Sequence, residues 1–203
     1  KRQQWFPSLE DAMVATVIYP EKFEDLVNFM DQQSITWAEA QIQLGKLESI
    51  QVSSPYAGSG FISLEAYKKY VLPSVSKISD AITKTGAYSY IHTCGFINDR
   101  LELLKESGTD GIECMDPKPL GDVSLSEAKQ RVGEDIFLKG NLDSVNLLLL
   151  GKSNDIERTV KETIEIGKPN GKFILSTACS VSANVDPQVI KGVSEINQEF
   201  GEY

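Results

Sequence analysis

The chain reads as an α/β protein of the TIM (β/α)8-barrel type with five or so βα units, the other three strands lying upstream of it or being supplied by another chain. Short β-branched and aromatic runs alternate with helical apolar stripes five times along 203 residues. The loops between them are short, which argues for a parallel sheet built from right-handed crossovers. The polar and reactive residues gather just past the C-terminal ends of the strands, at Ser53 to Gly60, His92 and Cys94, Asp116, Asn141 and Asp143, and Cys179. That rim is where barrel sites sit.

A single domain is expected, with residues 1–46 as a helical lead and 47–203 as the βα units. Residues 1–8 form a polar, aromatic lead ending in Pro7-Ser8. Ser8 is placed to cap a helix running to about Val17, with Glu10 and Asp11 favouring its dipole. Tyr19-Pro20-Glu21 opens a second helix, whose stripe of Phe23, Leu26, Val27 and Met30 continues through Ile35, Ala38 and Ile42 to Gly45. Ser49 to Ser53 reads as a strand. Ser63 caps a helix expected over 64–85. The run 87–92, Ala-Tyr-Ser-Tyr-Ile-His, is aromatic and β-branched and reads as the second strand. After it come a helix over 97–107, a strand at Gly111 to Cys114, and a helix near 125–132. A strand over 136–140 and a helix over 153–167 follow, then a strand over 173–176 and a last helix over 187–199. The apolar run Leu147 to Leu150 is a helix turn at most. No glycine-rich fingerprint follows any strand, which disfavours a dinucleotide fold.

Composition narrows the function. The balance of 20 basic and 29 acidic residues, a net −9, argues against a nucleic-acid footprint and against an anionic membrane surface. No apolar run approaches a membrane span, and no signal-peptide pattern is visible. Three widely spaced cysteines do not make a disulfide framework, so a reducing, cytoplasmic setting is the default. The chain opens on Lys1 rather than methionine, which is consistent with a piece of something longer.

The stretch Tyr88-Ser89-Tyr90-Ile91-His92-Thr93-Cys94-Gly95 holds the only histidine and one of the three cysteines. Residues i and i+2 of a strand point the same way, so His92 and Cys94 face one side together. An imidazole and a thiolate on one face make half of a zinc site, and Cys179 is the best third ligand. The alternative is a strand-end histidine with packed cysteines, and spacing alone does not decide between them. Tyr88 and Tyr90 share the histidine's face and are expected in the barrel core.

Four short motifs resemble the uroporphyrinogen decarboxylase superfamily, and more narrowly its methylcobamide-dependent methyltransferase branch. His92-Thr93-Cys94-Gly95 is like the branch's H-x-C-G on the fifth barrel strand. Gly140-Asn141-Leu142-Asp143 is like G-N-[LIV]-D after the seventh. Cys179 after the eighth is followed by Pro187-Gln188-Val189-Ile190, like P-x-x-[IV]. Ile62-Ser63-Leu64-Glu65-Ala66-Tyr67 is like I-S-P-E-x-[FY] after the fourth, with Leu64 replacing the usual proline. The resemblance runs from the family's fourth strand to the end of the chain; its first three strands have no counterpart here.

The resemblance implies zinc held by His92, Cys94 and Cys179, with an open position for a thiol or for the heteroatom of a methylated compound. It also implies a corrinoid as co-substrate. The corrinoid would arrive on a separate carrier protein, because the only histidine is already assigned. Glu113 and Asp116 are the candidate catalytic carboxylates, Glu113 to complete the metal sphere or accept a proton, with loop capping as the alternative for both. Only one of Glu113 and Cys114 can point into the barrel, and Cys114 is expected to pack as a small hydrophobe. Asn141 and Asp143 are candidates for orienting substrate or the histidine, against plain turn chemistry; Tyr56 is a candidate for a loop over the pocket, against a plain surface loop. The oligomeric state is open, with a homodimer among the expectations. Two rival readings are a metal-free decarboxylase and a non-catalytic half-barrel that binds a partner chain. The first would need anion-binding arginines, and Arg2, Arg100, Arg131 and Arg158 fall in the lead or in helices.

Overall fold

Ser8 accepts a hydrogen bond from the Asp11 backbone N–H at 3.0 Å and starts helix α1 (Leu9–Ile18). Pro20 then begins α2 (Pro20–Gly45), where its missing N–H costs nothing at a first turn. The computed structural model of the chain describes residues 6–202, so the start of the polar lead, Arg2 included, lies outside the described residues. A parallel sheet follows, made of β1 (Ser49–Ser53), β2 (Tyr88–Thr93), β3 (Gly111–Cys114), β4 (Phe137–Leu142) and β5 (Phe173–Thr177). Its order is β1-β2-β3-β4-β5, the sequential order of a barrel wall rather than of a doubly wound sheet.

Helices cover one side of each crossover. Ser63 caps α3 (Leu64–Ala66), which passes through a π-helical turn at Tyr67–Val71 into α4 (Leu72–Lys84). One uninterrupted helix is expected there from the apolar stripe. Pro73 is the physical reason for the difference: it has no N–H to give, and its ring crowds the preceding turn, so the widened turn falls just before it. The expected helix over 97–107 is a 3-10 turn at Asn98–Arg100 followed by α5 (Leu101–Glu106). Ser124 and Glu127 form a reciprocal capping box on α6 (Leu125–Val132). Helices α7 (Ser153–Gly167) and α8 (Pro187–Phe200) complete the chain, the latter capped by Asp186. Among the described residues, no helix is long and apolar enough to cross a membrane.

The strand register decides which residues face the helices. Val52, Ile91, Ile112, Leu138 and Phe173 pair in one continuous row, and all five are buried. Full burial of one such side chain stabilises by about 1.5–3 kcal/mol. Ser53, His92, Glu113, Lys139 and Ile174 pair in the next row and point the opposite way. Tyr88 and Tyr90 lie on that second side, as their spacing from His92 requires.

Among the described residues this face is uncovered. Tyr88 is 61% exposed, and Tyr90 is half-buried against Phe137 with the Lys139 ammonium over its ring. The described strands form an open sheet, so this face has no opposite wall to bury them. The apolar core instead sits between the sheet's other face and α4, α5 and α6, with a smaller cluster of Leu142, Leu148, Ile156, Val160, Ile164 and Val185 under α7 and α8.

Candidate metal centre

Strand β2 delivers His92 on the open face, and the chain leaves the sheet one residue later, so Cys94 lies just past the strand's end. Strand β5 ends at Thr177, which carries Cys179 to the same rim from the far edge of the sheet. The three side chains meet. His92 Nε2 lies 3.2 Å from Cys94 Sγ, and Cys94 Sγ lies 4.0 Å from Cys179 Sγ. All three donor atoms fall within 4.8 Å of one another. Zinc–ligand lengths of about 2.3 Å to sulfur and 2.0–2.1 Å to nitrogen put tetrahedral donors roughly 3.5–3.8 Å apart. One imidazole nitrogen and two sulfurs at these separations fit that ion in distance and in donor chemistry.

The electrostatics of the cluster favour ligation. Hydrogen bonds with Cys114 and with His92 bring the Cys94 thiol down to about 5. A thiol so placed is a thiolate at neutral pH, the form that binds metals. His92 is raised, chiefly through the same contact with Cys94 and then by the charges of Cys94 and Glu113. Cys179 is pushed up, mainly by burial. Cys114 is pushed up by its hydrogen bond to Cys94 and by burial.

Cys114 is fully buried, as a small packed hydrophobe should be, but it also reaches the cluster. Backbone φ turns positive at the end of β3, 89° at Cys114 and 49° at Met115. With Cys94 and Asp116, Cys114 makes a second group of donors within 4.8 Å. On this strand Glu113 takes the face of His92. Its carboxylate pairs with the Lys139 ammonium, accepts from the Gln51 side-chain amide, and lies 3.4 Å from His92 Nδ1.

The remaining candidate residues mostly hold loops. Asp116 accepts the Gly95 N–H at 2.8 Å, and Asp122 accepts the N–H groups of Ile97 and Asn98, so the turn carrying Cys94 hangs on two carboxylates of the next loop. Asp143 accepts the N–H groups of Val145 and Asn146 and the Asn146 side-chain amide. Asn141 donates to the Met115 carbonyl at 3.0 Å. Gly140 precedes it at φ 154°, and a Cβ there would lie 2.7 Å from the Cys114 carbonyl, so the close approach of β4 to β3 at the rim requires glycine. Tyr56 is 43% exposed and packs edge-on against Phe61. Its loop is fastened to the Cys94 turn. Gly58 lies so close that a Cβ would come within 2.7 Å of the Cys94 carbonyl, and Ser59 donates to the Phe96 carbonyl. Arg100, fully buried, donates to the Ala57 and Ile62 carbonyls from beneath.

Gln51, Lys139 and Asp122 are residues near the site that sequence reasoning passed over. A signal for one existed: Glu113 and Lys139 are opposite charges inside otherwise apolar strands.

The sequence profile of the Uroporphyrinogen decarboxylase (URO-D) family matches residues 8–200. The chain belongs to the uroporphyrinogen decarboxylase family. Among the family's curated members, a methylcobamide:CoM methyltransferase, MtbA, of Methanosarcina acetivorans is 28% identical over 169 residues, 81% of this chain and 47% of that protein. A uroporphyrinogen decarboxylase of Carboxydothermus hydrogenoformans is 34% identical over 153 residues, 75% of this chain and 41% of that protein. A solved methyltransferase from Methanosarcina mazei superposes with a TM-score of 0.84 at 21% identity, covering 96% of this chain and 54% of that one. This URO-D chain therefore spans about half the length of the curated relatives it matches. Its five parallel strands correspond to part of a TIM-type barrel.

Proposed function

We propose that the chain is part of a zinc-dependent methyltransferase of corrinoid metabolism, moving a methyl group between a corrinoid and either a thiol or a methylated small molecule. The observation that carries this reading is the convergence of His92 Nε2, Cys94 Sγ and Cys179 Sγ from the ends of β2 and β5, which two other strands separate. The methylcobamide:CoM methyltransferase among the relatives supports the same class. His92, Cys94 and Cys179 would hold the metal and leave the side away from the protein for substrate. Zinc bound there supplies Lewis acidity, toward a thiol in one direction or toward the departing heteroatom in the other.

The chain's own residues prepare that site. Hydrogen bonds with Cys114 and His92 hold the Cys94 thiol well below its usual range, which favours the thiolate that metals bind. Asp116 fixes the Gly95 N–H and with it the position of Cys94. Asn141 and Asp143 set the course of the chain past β4, and Tyr56 stands on the loop packed against the Cys94 turn, where it would contact substrate. The corrinoid would arrive on a separate carrier protein, since the chain's sole histidine stands at the cluster. The expected setting is the cytoplasm.

The test is the zinc content of the purified full-length protein, before and after His92→Ala and Cys94→Ala. One zinc per chain, lost in both variants, is expected; a zinc-free parent sinks the reading. Loss of methylcobalamin absorbance on adding thiols then selects the direction of transfer.

A metal-free decarboxylase is the second reading, favoured by the relative from Carboxydothermus hydrogenoformans. The described arginines do not support it. Arg100 is buried under the Tyr56 loop, Arg131 pairs with Glu102, and Arg158 pairs with Asp155, so none of them lines the open face of the sheet.

A further inference from the structure

We propose that Glu113 is a positioning residue rather than a metal ligand or a proton acceptor. Held by Lys139 and Gln51, it aims His92 so that Nε2 faces the two cysteines. The inference rests on the zinc reading above.

The register sets up the arrangement. His92, Glu113 and Lys139 are direct partners across β2, β3 and β4, so their side chains leave the same face in a line. Parallel strands space such partners about 4.8 Å apart, within reach of one another. Gln51 stands on the same face one row back, paired with Tyr90.

The two imidazole nitrogens have different surroundings. Nε2 lies 3.2 Å from Cys94 Sγ. Nδ1 is buried, and the group it faces is Glu113 Oε2 at 3.4 Å. A buried N–H without a partner costs about 1–3 kcal/mol, so a proton on Nδ1 is favoured only because this carboxylate is present. With the proton on Nδ1, the Nε2 lone pair is free for the metal. Metal-bound histidines are commonly oriented in this way by a carboxylate behind the ring.

Glu113 is itself occupied. It is only 7% exposed, its Oε1 takes the Lys139 ammonium, and its Oε2 accepts from the Gln51 amide. A buried carboxylate needs such partners. To ligate the metal, Oε2 would have to leave the Gln51 amide and the Nδ1 side of the ring, while Oε1 stays tied to Lys139, whose ammonium lies 5.1 Å over the Tyr90 ring. Glu113 is likewise absent from the group whose donor atoms lie within 4.8 Å of one another.

His92 is the only histidine, so a long-range 1H–15N spectrum of the chain contains a single imidazole and reads its state without assignment. In the zinc-loaded parent, Nδ1 should be protonated with its proton shifted downfield, and Nε2 should carry the metal. In Glu113→Ala that proton should move upfield, and zinc affinity, measured against a chromophoric chelator, should fall about 10–100-fold. Glu113→Gln keeps an oxygen acceptor at the same place and should recover affinity to within about tenfold of the parent. It also carries the test if the alanine variant does not fold, because its Nδ1 proton should still move upfield.

Unchanged affinity and an unmoved Nδ1 proton in both variants would overturn the proposal. So would X-ray absorption showing that the zinc loses an oxygen ligand in Glu113→Ala, which would make Glu113 a ligand. A parent without zinc overturns the metal reading and this inference together. A parent whose zinc depends on His92 but not on Glu113 overturns this inference alone.

Discussion

On one side of the sheet, Val52, Ile91, Ile112, Leu138 and Phe173 lie buried beneath helices. One residue further along the same strands, Ser53, His92, Glu113, Lys139 and Ile174 face the other way, and the row is polar or half open. The two rows share their backbone, hydrogen bonds and strand order. They differ only in the direction of alternate side chains. The buried row supplies stability through area removed from water, and the polar row supplies the histidine and the carboxylate behind it. A one-residue slip would exchange the two sets, so the register that hides the apolar row is the same register that presents the site.

The sharpest way to break this contrast is to truncate one residue on each side. Ile112→Ala, at a fully buried position in the middle strand, should cost about 2–5 kcal/mol in denaturant unfolding while leaving the zinc stoichiometry of the folded fraction unchanged. His92→Ala, one row over, should do the reverse. Zinc affinity should fall by more than about 100-fold, beyond the loss expected for a group behind a ligand, while the metal-free protein loses less than about 1 kcal/mol of stability. Lys139→Met keeps the length of the side chain but frees one oxygen of Glu113; chelator competition should show zinc binding weakened a few-fold, by less than about tenfold. The smallest effect belongs to Tyr88→Ser on the open face, where the unfolding midpoint should shift by no more than about 0.5 kcal/mol. A large loss there would mean that Tyr88 is covered in solution, and the contrast between the faces would have to be redrawn.

Much of the fold was legible because its signals are local. Ser8, Ser63 and Pro20 mark helix starts through groups within three residues of themselves, and the structure begins helices at each. The five strands fall within two residues of their expected ends because β-branched runs are bounded by turn residues. The π-turn was not legible, since the apolar stripe from Leu64 to Ile82 continues in phase across it and only Pro73 hints at the break. The pairing of His92 with Cys94 follows from two-residue spacing. The third member, Cys179, was a candidate that the resemblance strengthened, because no period connects positions 85 residues apart, and the 4.0 Å approach of Cys94 to Cys179 is a product of the tertiary structure. The 61% exposure of Tyr88 among the described residues was not legible for a related reason. Alternation assigns a residue to a face, but only the neighbouring chain decides whether that face is covered.

The sequence by itself determined the order of strands and helices, the caps, and the set of reactive residues that end up at strand ends. These depend on backbone conformation and side-chain alternation, which act over a few residues. The tertiary structure decided which strands are neighbours, and so which side chains share a row. Only that registration could place Glu113 between His92 and Lys139, turn Cys114 toward Cys94, and hang the Cys94 loop on Asp116 and Asp122. Each of these contacts joins residues about twenty or more positions apart, where the gain of the contact must exceed the entropy of closing the loop between them. That gain comes from the apolar row on the far side of the sheet, which holds the strands in register whatever stands on the near side.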